Sequence, residues 1–223
     1  MRSITSCITR AKADRDAGIA LVACIDCGFR RASGGLASLD KMLSPDNHQV
    51  LNVIELGTGC GLVGLALASI VPKSHVVMTD TSEVIELVNV WNILELDFAT
   101  SSKVAFEILN WDEPLRSSIS SINFELILLA DCIYNADSTP ALVRTISALA
   151  GKSPNALIVN AAKTRHSSEA IFFKLMAEAC FVTLDRTHVV APMGYGSTVT
   201  TDVEHIDICV FKHRTHDSVV PAV

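Results

Sequence analysis

Residues 51–64 read LNVIELGTGCGLVG, an apolar run with one glutamate followed by glycines at positions 57, 59, 61 and 64. The run Leu51 to Leu56 is typical of a buried strand, and the apolar stretch Leu62 to Val71, which ends before Pro72, is typical of a helix. Glycines at alternate positions let the backbone turn sharply and approach a ligand, because no Cβ atom stands in the way. This segment predicts an α/β fold with a ligand-binding loop after its first strand.

The alternation of strand and helix continues after this segment, which predicts parallel strands joined by crossover helices. Thr139, before Pro140, is expected to cap its helix with its side-chain oxygen. The last two strands have only a polar connection, Ala191 to Asp202, and are therefore predicted to form an antiparallel hairpin. The predicted strands are Val76–Thr79, Val104–Leu109, Glu125–Ala130, Ala156–Ala161, Phe181–Val190 and His205–Phe211; the predicted helices run from Thr81 to about Leu96, from Thr139, and over Ser167–Ala179.

Charge divides the chain of 223 residues into two parts. Residues 1–50 carry a net charge of +2, contain a predicted helix over Leu36 to Leu43, and are interpreted as an N-terminal lobe or lid that is helical in part. Residues 51–223 carry the remaining −8 and are interpreted as the cofactor-binding domain. A net charge of −6 argues against nucleic acid and anionic lipid as partners, and no apolar stretch reaches the length of a membrane span. We expect a soluble intracellular protein.

The seven cysteines predict neither a disulfide framework nor a metal site. Several lie in apolar runs, where a reduced cysteine behaves as a small hydrophobic side chain. Cys24 and Cys27 have the spacing of half a zinc site or a redox pair, but no second pair or neighbouring histidine supplies the other ligands.

The glycine loop leaves two classes of cofactor open. Gly59, Gly61 and Gly64 satisfy the dinucleotide pattern, so a nicotinamide or flavin enzyme is one interpretation. Glu55 is a poor neighbour for a pyrophosphate and favours a cofactor without phosphate and with a positively charged amino-acid end, such as S-adenosylmethionine. Asp80, at the end of the second strand, is placed to accept hydrogen bonds from two ribose hydroxyls of either cofactor.

Three further clusters follow strands at the edge where open α/β sheets bind ligands. Trp111, after the third strand, can contact a purine, or can simply close the sheet edge. Asp131 and Tyr134, after Ala130, can bind and orient an amine nucleophile, although Asp131 alone is too weak a base to deprotonate an ammonium; the alternative is a carboxylate that caps the next turn. The charged segment Lys163 to His166 is interpreted as a solvated loop.

At these residues the sequence resembles the seven-strand S-adenosylmethionine-dependent methyltransferases, and within them the family-16 group of protein-lysine methyltransferases. The matching segments are Val53 to Gly64, Thr79-Asp80, Leu109 to Asp112 and Ala130 to Tyr134, in order along the chain. The family carries an acid-x-x-aromatic signature after the fourth strand, which Asp131 and Tyr134 fit. Relatives also carry a tryptophan before the helix that precedes the glycine loop, and residues 1–50 contain none.

The resemblance implies a Rossmann-like sheet of order 3-2-1-4-5-7-6 with strand 7 antiparallel and helices on both faces. It implies S-adenosylmethionine as cofactor, with contacts at Gly57, Thr58, Gly59, Asp80, Trp111 and Ala130, to which the loop itself adds Glu55 and Gly61. It assigns the substrate lysine to Asp131 and Tyr134 as the catalytic pair.

The function that follows is methylation of a lysine of a cytosolic protein of the chaperone or translation-factor type. We expect a cytoplasmic location, with the nucleus as alternative, a protein partner rather than nucleic acid or membrane, and no metal; no oligomeric state follows from the sequence. The alternatives are a small-amine N-methyltransferase, a catalytically silent cofactor-binding module and a dehydrogenase.

Overall fold

Seven strands hydrogen-bond into one sheet in the computed structural model, which describes residues 15–30, 35–46, 49–86, 101–163, 168–190 and 205–214. The strand order is β3-β2-β1-β4-β5-β7-β6, as predicted. All neighbours pair in parallel except β7, which is antiparallel to both β5 and β6. The strands are β1 (Leu51–Leu56), β2 (Ser74–Asp80), β3 (Lys103–Ile108), β4 (Leu126–Ala130), β5 (Leu157–Lys163), β6 (Phe181–Val190) and β7 (His205–His213).

Helices cover both faces of this sheet. They are α1 (Arg15–Phe29), α2 (Ala37–Met42), α3 (Leu62–Ile70), α4 (Ser117–Ser120), α5 (Thr139–Ala150) and α6 (Ser168–Glu178), and residues 82–86 are helical after β2. The predicted continuation of that helix to Leu96 lies outside the described residues, as does the hairpin connection Ala191 to Asp202. No helix among the described residues is long and apolar enough to cross a membrane.

Two apolar cores lie on opposite faces of the sheet, because the side chains of a strand alternate between its faces. In β5, Val159 contributes to the core under α1 and α3, whereas Ile158 contributes to the core under α5 and α6. The central strands are therefore apolar without alternation, which is the pattern that predicted them.

The helix α1 is the main element that the sequence analysis did not predict. It places Ala17, Leu21 and Ile25 in the core and contacts α3, β4, β5 and β7. The shorter helix α2 confirms the prediction over Leu36 to Leu43, and its Ser38 amide donates a 2.8 Å hydrogen bond to Asp185 of β6. Part of the segment before residue 51 is thus packed directly on the sheet.

The expected cap of α5 is wrong in detail. Ser138, not Thr139, occupies the N-cap position, and neither side chain caps the helix there. The Thr139 hydroxyl donates instead to the Asn135 carbonyl at 2.8 Å. Pro140 does lie in the first turn, where its missing amide costs the helix no hydrogen bond.

Candidate active site

The glycine loop begins with a left-handed turn that packs against two later segments. Gly57 has φ +66°, and a Cβ atom there would lie 2.8 Å from the Cys132 sulfur and 3.4 Å from the Trp111 ring. A side chain at residue 57 would therefore be both strained and obstructed. The fold thus brings the loop after β1 against the residues that follow β3 and β4.

Glu55 lies beneath this loop, with 2% of its surface exposed. One carboxylate oxygen accepts hydrogen bonds from the Thr58 hydroxyl at 2.6 Å and from the Gly64 amide at 3.0 Å. Burial raises the pKa of Glu55 to about 7, although both hydrogen bonds act in the opposite direction. The predicted cofactor residues Glu55 and Thr58 are therefore hydrogen-bonded to each other on the buried side of the loop.

Asp80 fastens the loop to the end of β2. Its carboxylate accepts the Gly59 amide at 2.9 Å and the Thr81 amide at 2.8 Å, and the Thr58 amide donates to the Thr79 carbonyl at 2.9 Å. Burial raises the pKa of Asp80, while the two amides lower it. Each carboxylate oxygen keeps capacity for a second donor, such as a ribose hydroxyl.

The remaining loop residues leave room for a ligand. A Cβ atom on Gly59 would meet nothing within 4 Å, so the backbone there borders open space. Gly61 ends the loop with φ +81° as the N-cap of α3, and Cys60 between them is exposed. The Gly57–Gly61 loop is thus an open cradle of backbone groups at the start of a helix.

Trp111 closes the sheet edge beside the loop, and its contact with a purine stays a prediction. Its partly buried side chain packs against the core under α5 and α6, and its ring also lies next to Gly57. Ala130, at the end of β4, is partly buried against the opposite core. The indole is therefore held in place beside the loop by apolar packing.

Asp131 follows β4 in a left-handed backbone conformation, which is uncommon for residues other than glycine. Its φ is +53°, which carries a backbone strain on the order of 1 kcal/mol. The Asp131 amide donates to the Ala161 carbonyl at 2.9 Å, and one carboxylate oxygen accepts the Lys163 amide at 3.4 Å. Two hydrogen bonds to β5 thus hold the residue in this conformation.

The side chain of Tyr134 is 57% exposed. Asp131 and Tyr134 both belong to the segment that joins β4 to α5, but they differ in environment, since Asp131 is partly buried. Neighbouring Cys132 is buried, its sulfur lies 3.0 Å from the Leu56 carbonyl, and burial raises its thiol pKa well above the usual range. A partly buried carboxylate and an exposed phenol therefore flank a fixed apolar turn.

Lys163 and Asp16 are the residues that sequence reasoning missed. The prediction of a solvated loop is wrong for Lys163, whose side chain is 12% exposed and forms a 2.8 Å ion pair with Asp16 of α1. Residues 164–167 of that segment lie outside the described residues. The signal was the strand period, which places Lys163 on the same core-facing side as Val159 and Ala161.

Within the described part of the chain, no group of three or more histidine, cysteine or acidic side chains is arranged to hold a metal ion. Cys24 is buried in α1 and Cys27 partly buried, and burial raises the pKa of the Cys24 thiol to about 11.

A family model described as lysine methyltransferase matches residues 16–179. The chain belongs to this lysine methyltransferase family. The match starts inside α1 and ends just after α6, so it includes every residue discussed at the sheet edge. The predicted resemblance is confirmed, and S-adenosylmethionine, the predicted cofactor, is that of the family.

Two curated proteins are similar to this chain. A UPF0665 family protein of Schizosaccharomyces pombe is 33% identical over 144 residues, which are 62% of this chain and 43% of that protein. The protein-lysine N-methyltransferase EFM6 of Saccharomyces cerevisiae is 31% identical over 151 residues, which are 61% of this chain and 60% of that protein. The chain thus spans about half the length of these two relatives.

Solved structures agree on the fold. A SAM-dependent methyltransferase from Methanosarcina mazei superposes with a TM-score of 0.53 at 14% identity, covering 77% of this chain and 98% of that one. At this identity the likeness concerns the architecture alone. It confirms the predicted Rossmann-like methyltransferase sheet of the family.

Proposed function

We propose that this protein transfers a methyl group from S-adenosylmethionine to the side-chain amine of a lysine in a protein substrate. The observation that carries the proposal is the common edge at which the Glu55 loop, Asp80 and Trp111 lie together with Asp131 and Tyr134. Ligands of open α/β sheets bind at this edge. Family membership supports the reaction class.

The cofactor-binding part of the proposal rests on the loop and the end of β2. The open space at Gly59 accepts a ligand, and Asp80 offers acceptor oxygens to ribose hydroxyls. The Trp111 ring beside Gly57 supports its assignment to an adenine ring, and the carboxylate of Glu55, buried beneath the loop, supports a cofactor with a cationic amino-acid end. When bound, S-adenosylmethionine supplies a methyl group on a positively charged sulfur. Gly57, Gly61 and Ala130 shape the surface around it.

Asp131 and Tyr134 are the residues that we assign to the lysine. Methyl transfer is an in-line displacement, so the amine must be neutral and correctly oriented. The role of the Asp131 carboxylate is to accept a hydrogen bond from the amine and fix its direction. The exposure of Tyr134 supports its assignment to an incoming side chain, whose orientation its phenol would complete.

A basic protein segment is the substrate that charge favours. Residues 51–223 carry a net charge of −8, which favours the approach of a lysine-bearing partner. The proposed substrate is a cytosolic protein of the chaperone or translation-factor type, and the resemblance to family-16 enzymes supports this choice.

The test is transfer of tritium from methyl-labelled S-adenosylmethionine into a cell lysate. We expect label in one or a few protein bands, released as methyl-lysine after hydrolysis. Asp131→Asn should reduce this transfer about 100-fold through loss of amine orientation. The matched control is Asp137→Asn, an exposed carboxylate in the same segment, which should transfer at the wild-type rate.

Each alternative gives its own result in this experiment. Label only in small molecules would replace the protein substrate by a small amine. Binding of S-adenosylhomocysteine without transfer to any fraction would contradict catalysis and indicate a silent binding module. Equal transfer by wild type and Asp131→Asn would remove Asp131 from the mechanism.

A further inference from the structure

An ion pair joins the first turn of α1 to the end of β5. The Lys163 ammonium lies 2.8 Å from an Asp16 carboxylate oxygen, and the two side chains are only 12% and 23% exposed. Ordering the two side chains costs rotamer freedom, which the pair must offset. A short pair that is mostly shielded from water is stronger than one on the surface, and loss of one partner leaves a charge that is costly to bury.

The same lysine also touches the segment assigned to the substrate amine. Its backbone amide lies 3.4 Å from a carboxylate oxygen of Asp131, and the Asp131 amide donates to Ala161, two residues earlier in β5. Asp131 keeps its positive φ only while surrounding contacts hold it. The hydrogen bonds to the end of β5 therefore stabilise the conformation of Asp131.

The Lys163 ammonium is in turn held by a helix that is packed over the sheet. Asp16 lies in the first turn of α1, where the helix dipole favours a negative charge. The same helix contacts β5 and places Ala17 and Leu21 in the core, so it has little freedom to shift. A continuous path of contacts thus runs from α1 through Lys163 to Asp131.

We propose that Lys163, held by Asp16, is a positioning residue for Asp131. This inference rests on the proposed function, since it concerns the carboxylate assigned there to the lysine amine. According to this proposal, the ion pair with Asp16 fixes Lys163 at the end of β5. The backbone amide of Lys163 then fixes the direction of the Asp131 carboxylate. The segment before residue 51 thereby contributes to the site through Asp16.

The first experiment measures transfer of labelled methyl into lysate protein by Lys163→Met and Asp16→Asn. We expect both to lower the rate by about 10- to 100-fold, the range that a displacement of about 1 Å produces. Affinity for S-adenosylhomocysteine, measured by calorimetry, should stay within about twofold, since the loop and Asp80 are intact. Lys163→Arg preserves the charge and should recover most of the rate.

The matched control is Arg186→Met. It breaks the 2.6 Å ion pair between Arg186 of β6 and Asp207 of β7, a pair that does not include the last residue of β5. We expect a lower melting temperature without loss of rate per folded molecule. Equal rate losses in Arg186→Met and Lys163→Met, or no rescue by Lys163→Arg, would reduce the Asp16 pair to an ordinary structural contact and overturn the inference.

A second readout is independent of catalysis. Amide hydrogen exchange followed by NMR should become about 10-fold faster at Asp131 and Lys163 in Lys163→Met, while the Gly64 amide is unchanged. If Lys163→Met does not fold, Asp16→Asn supplies the same comparison. Unchanged exchange at Asp131 would overturn the inference even if wild type is active. Absence of transfer by wild type with faster exchange at Asp131 would contradict the proposed function and leave the positioning intact.

Discussion

The carboxylate of Glu55 accepts the backbone amide of Gly64 at 3.0 Å, so the strand before the glycine loop holds the first turn of the helix after it. The N-cap of α3 is Gly61, which has no side chain to satisfy the free amides of that turn. Glu55 therefore acts as the cap from a distance, through the carboxylate oxygen that accepts this amide.

Glu55 should make stability depend on pH. Its pKa is about 7 in the folded protein against an ordinary value of 4.5, so the folded state holds the proton more tightly. This contribution is complete below about pH 4.5 and is lost as pH rises to about 7, a change on the order of 3 kcal/mol in the free energy of unfolding. Urea unfolding should show that the free energy of unfolding of Glu55→Gln rises relative to that of wild type between pH 5 and pH 8. A constant difference between the two proteins contradicts this.

Gly64 should not tolerate a methyl group. A Cβ atom there would lie 2.6 Å from the Glu55 carboxylate and 2.8 Å from Met78. The overlap costs more than the roughly 1 kcal/mol that alanine adds to a helix, so Gly64→Ala should lower the free energy of unfolding by about 1–2 kcal/mol.

The control for this substitution is another glycine within a helix. A Cβ atom on Gly18 of α1 would lie 3.3 Å from the end of the Leu62 side chain, which can move. Gly18→Ala should therefore leave stability unchanged or raise it in the same denaturant assay. If both variants behave alike, the contact with Glu55 is not what restricts residue 64.

Asp80→Asn should weaken cofactor binding. Asn keeps one of the two acceptor oxygens, so the variant loses one charge-assisted hydrogen bond to a ribose hydroxyl, about 1.5–3 kcal/mol, which corresponds to about a 10- to 100-fold change in Kd. Calorimetry with S-adenosylhomocysteine measures it, with thermal melts to confirm folding. Asp112→Asn removes an exposed carboxylate next to Trp111 and should keep the wild-type Kd; equal losses would point to general electrostatics instead.

Cys60 should report occupancy of the loop. It is exposed between Gly59 and Gly61, whereas Cys132 beneath the loop is buried. Alkylation by iodoacetamide should modify Cys60 well before Cys132, and S-adenosylhomocysteine at about 10 times its Kd should slow it about 10-fold. Mass spectrometry follows each site. Cys180, exposed after α6, serves as the internal control and should react equally with and without ligand.

Local patterns were sufficient to predict the sheet. The strands predicted from Glu125 and from Ala156 are apolar on both faces. The glycine loop marks the end of the first strand and the start of the first crossover helix. The strand order itself came from the family resemblance, because pairing such as that of β1 with β4 depends on contacts across more than 70 residues.

The N-terminal helix and the ion-pair partner of Lys163 were beyond local patterns. Helix α1 contains Gly18 and Gly28, which weaken a helical pattern, and its stability comes from packing against the sheet. Lys163 lies in a run of polar and charged residues that resembles a solvated turn, and its partner Asp16 precedes it by most of the chain. Tertiary contacts decide both outcomes.

The packing of α1 has a consequence for how the chain comes to be folded. During synthesis this helix emerges well over 100 residues before β5 and β7, so its apolar face has no sheet to cover until nearly the whole domain has been made. Contacts of such high sequence separation slow folding and leave apolar surface exposed in the meantime. A nascent or prematurely terminated chain that ends before β5 is therefore a natural client for chaperones.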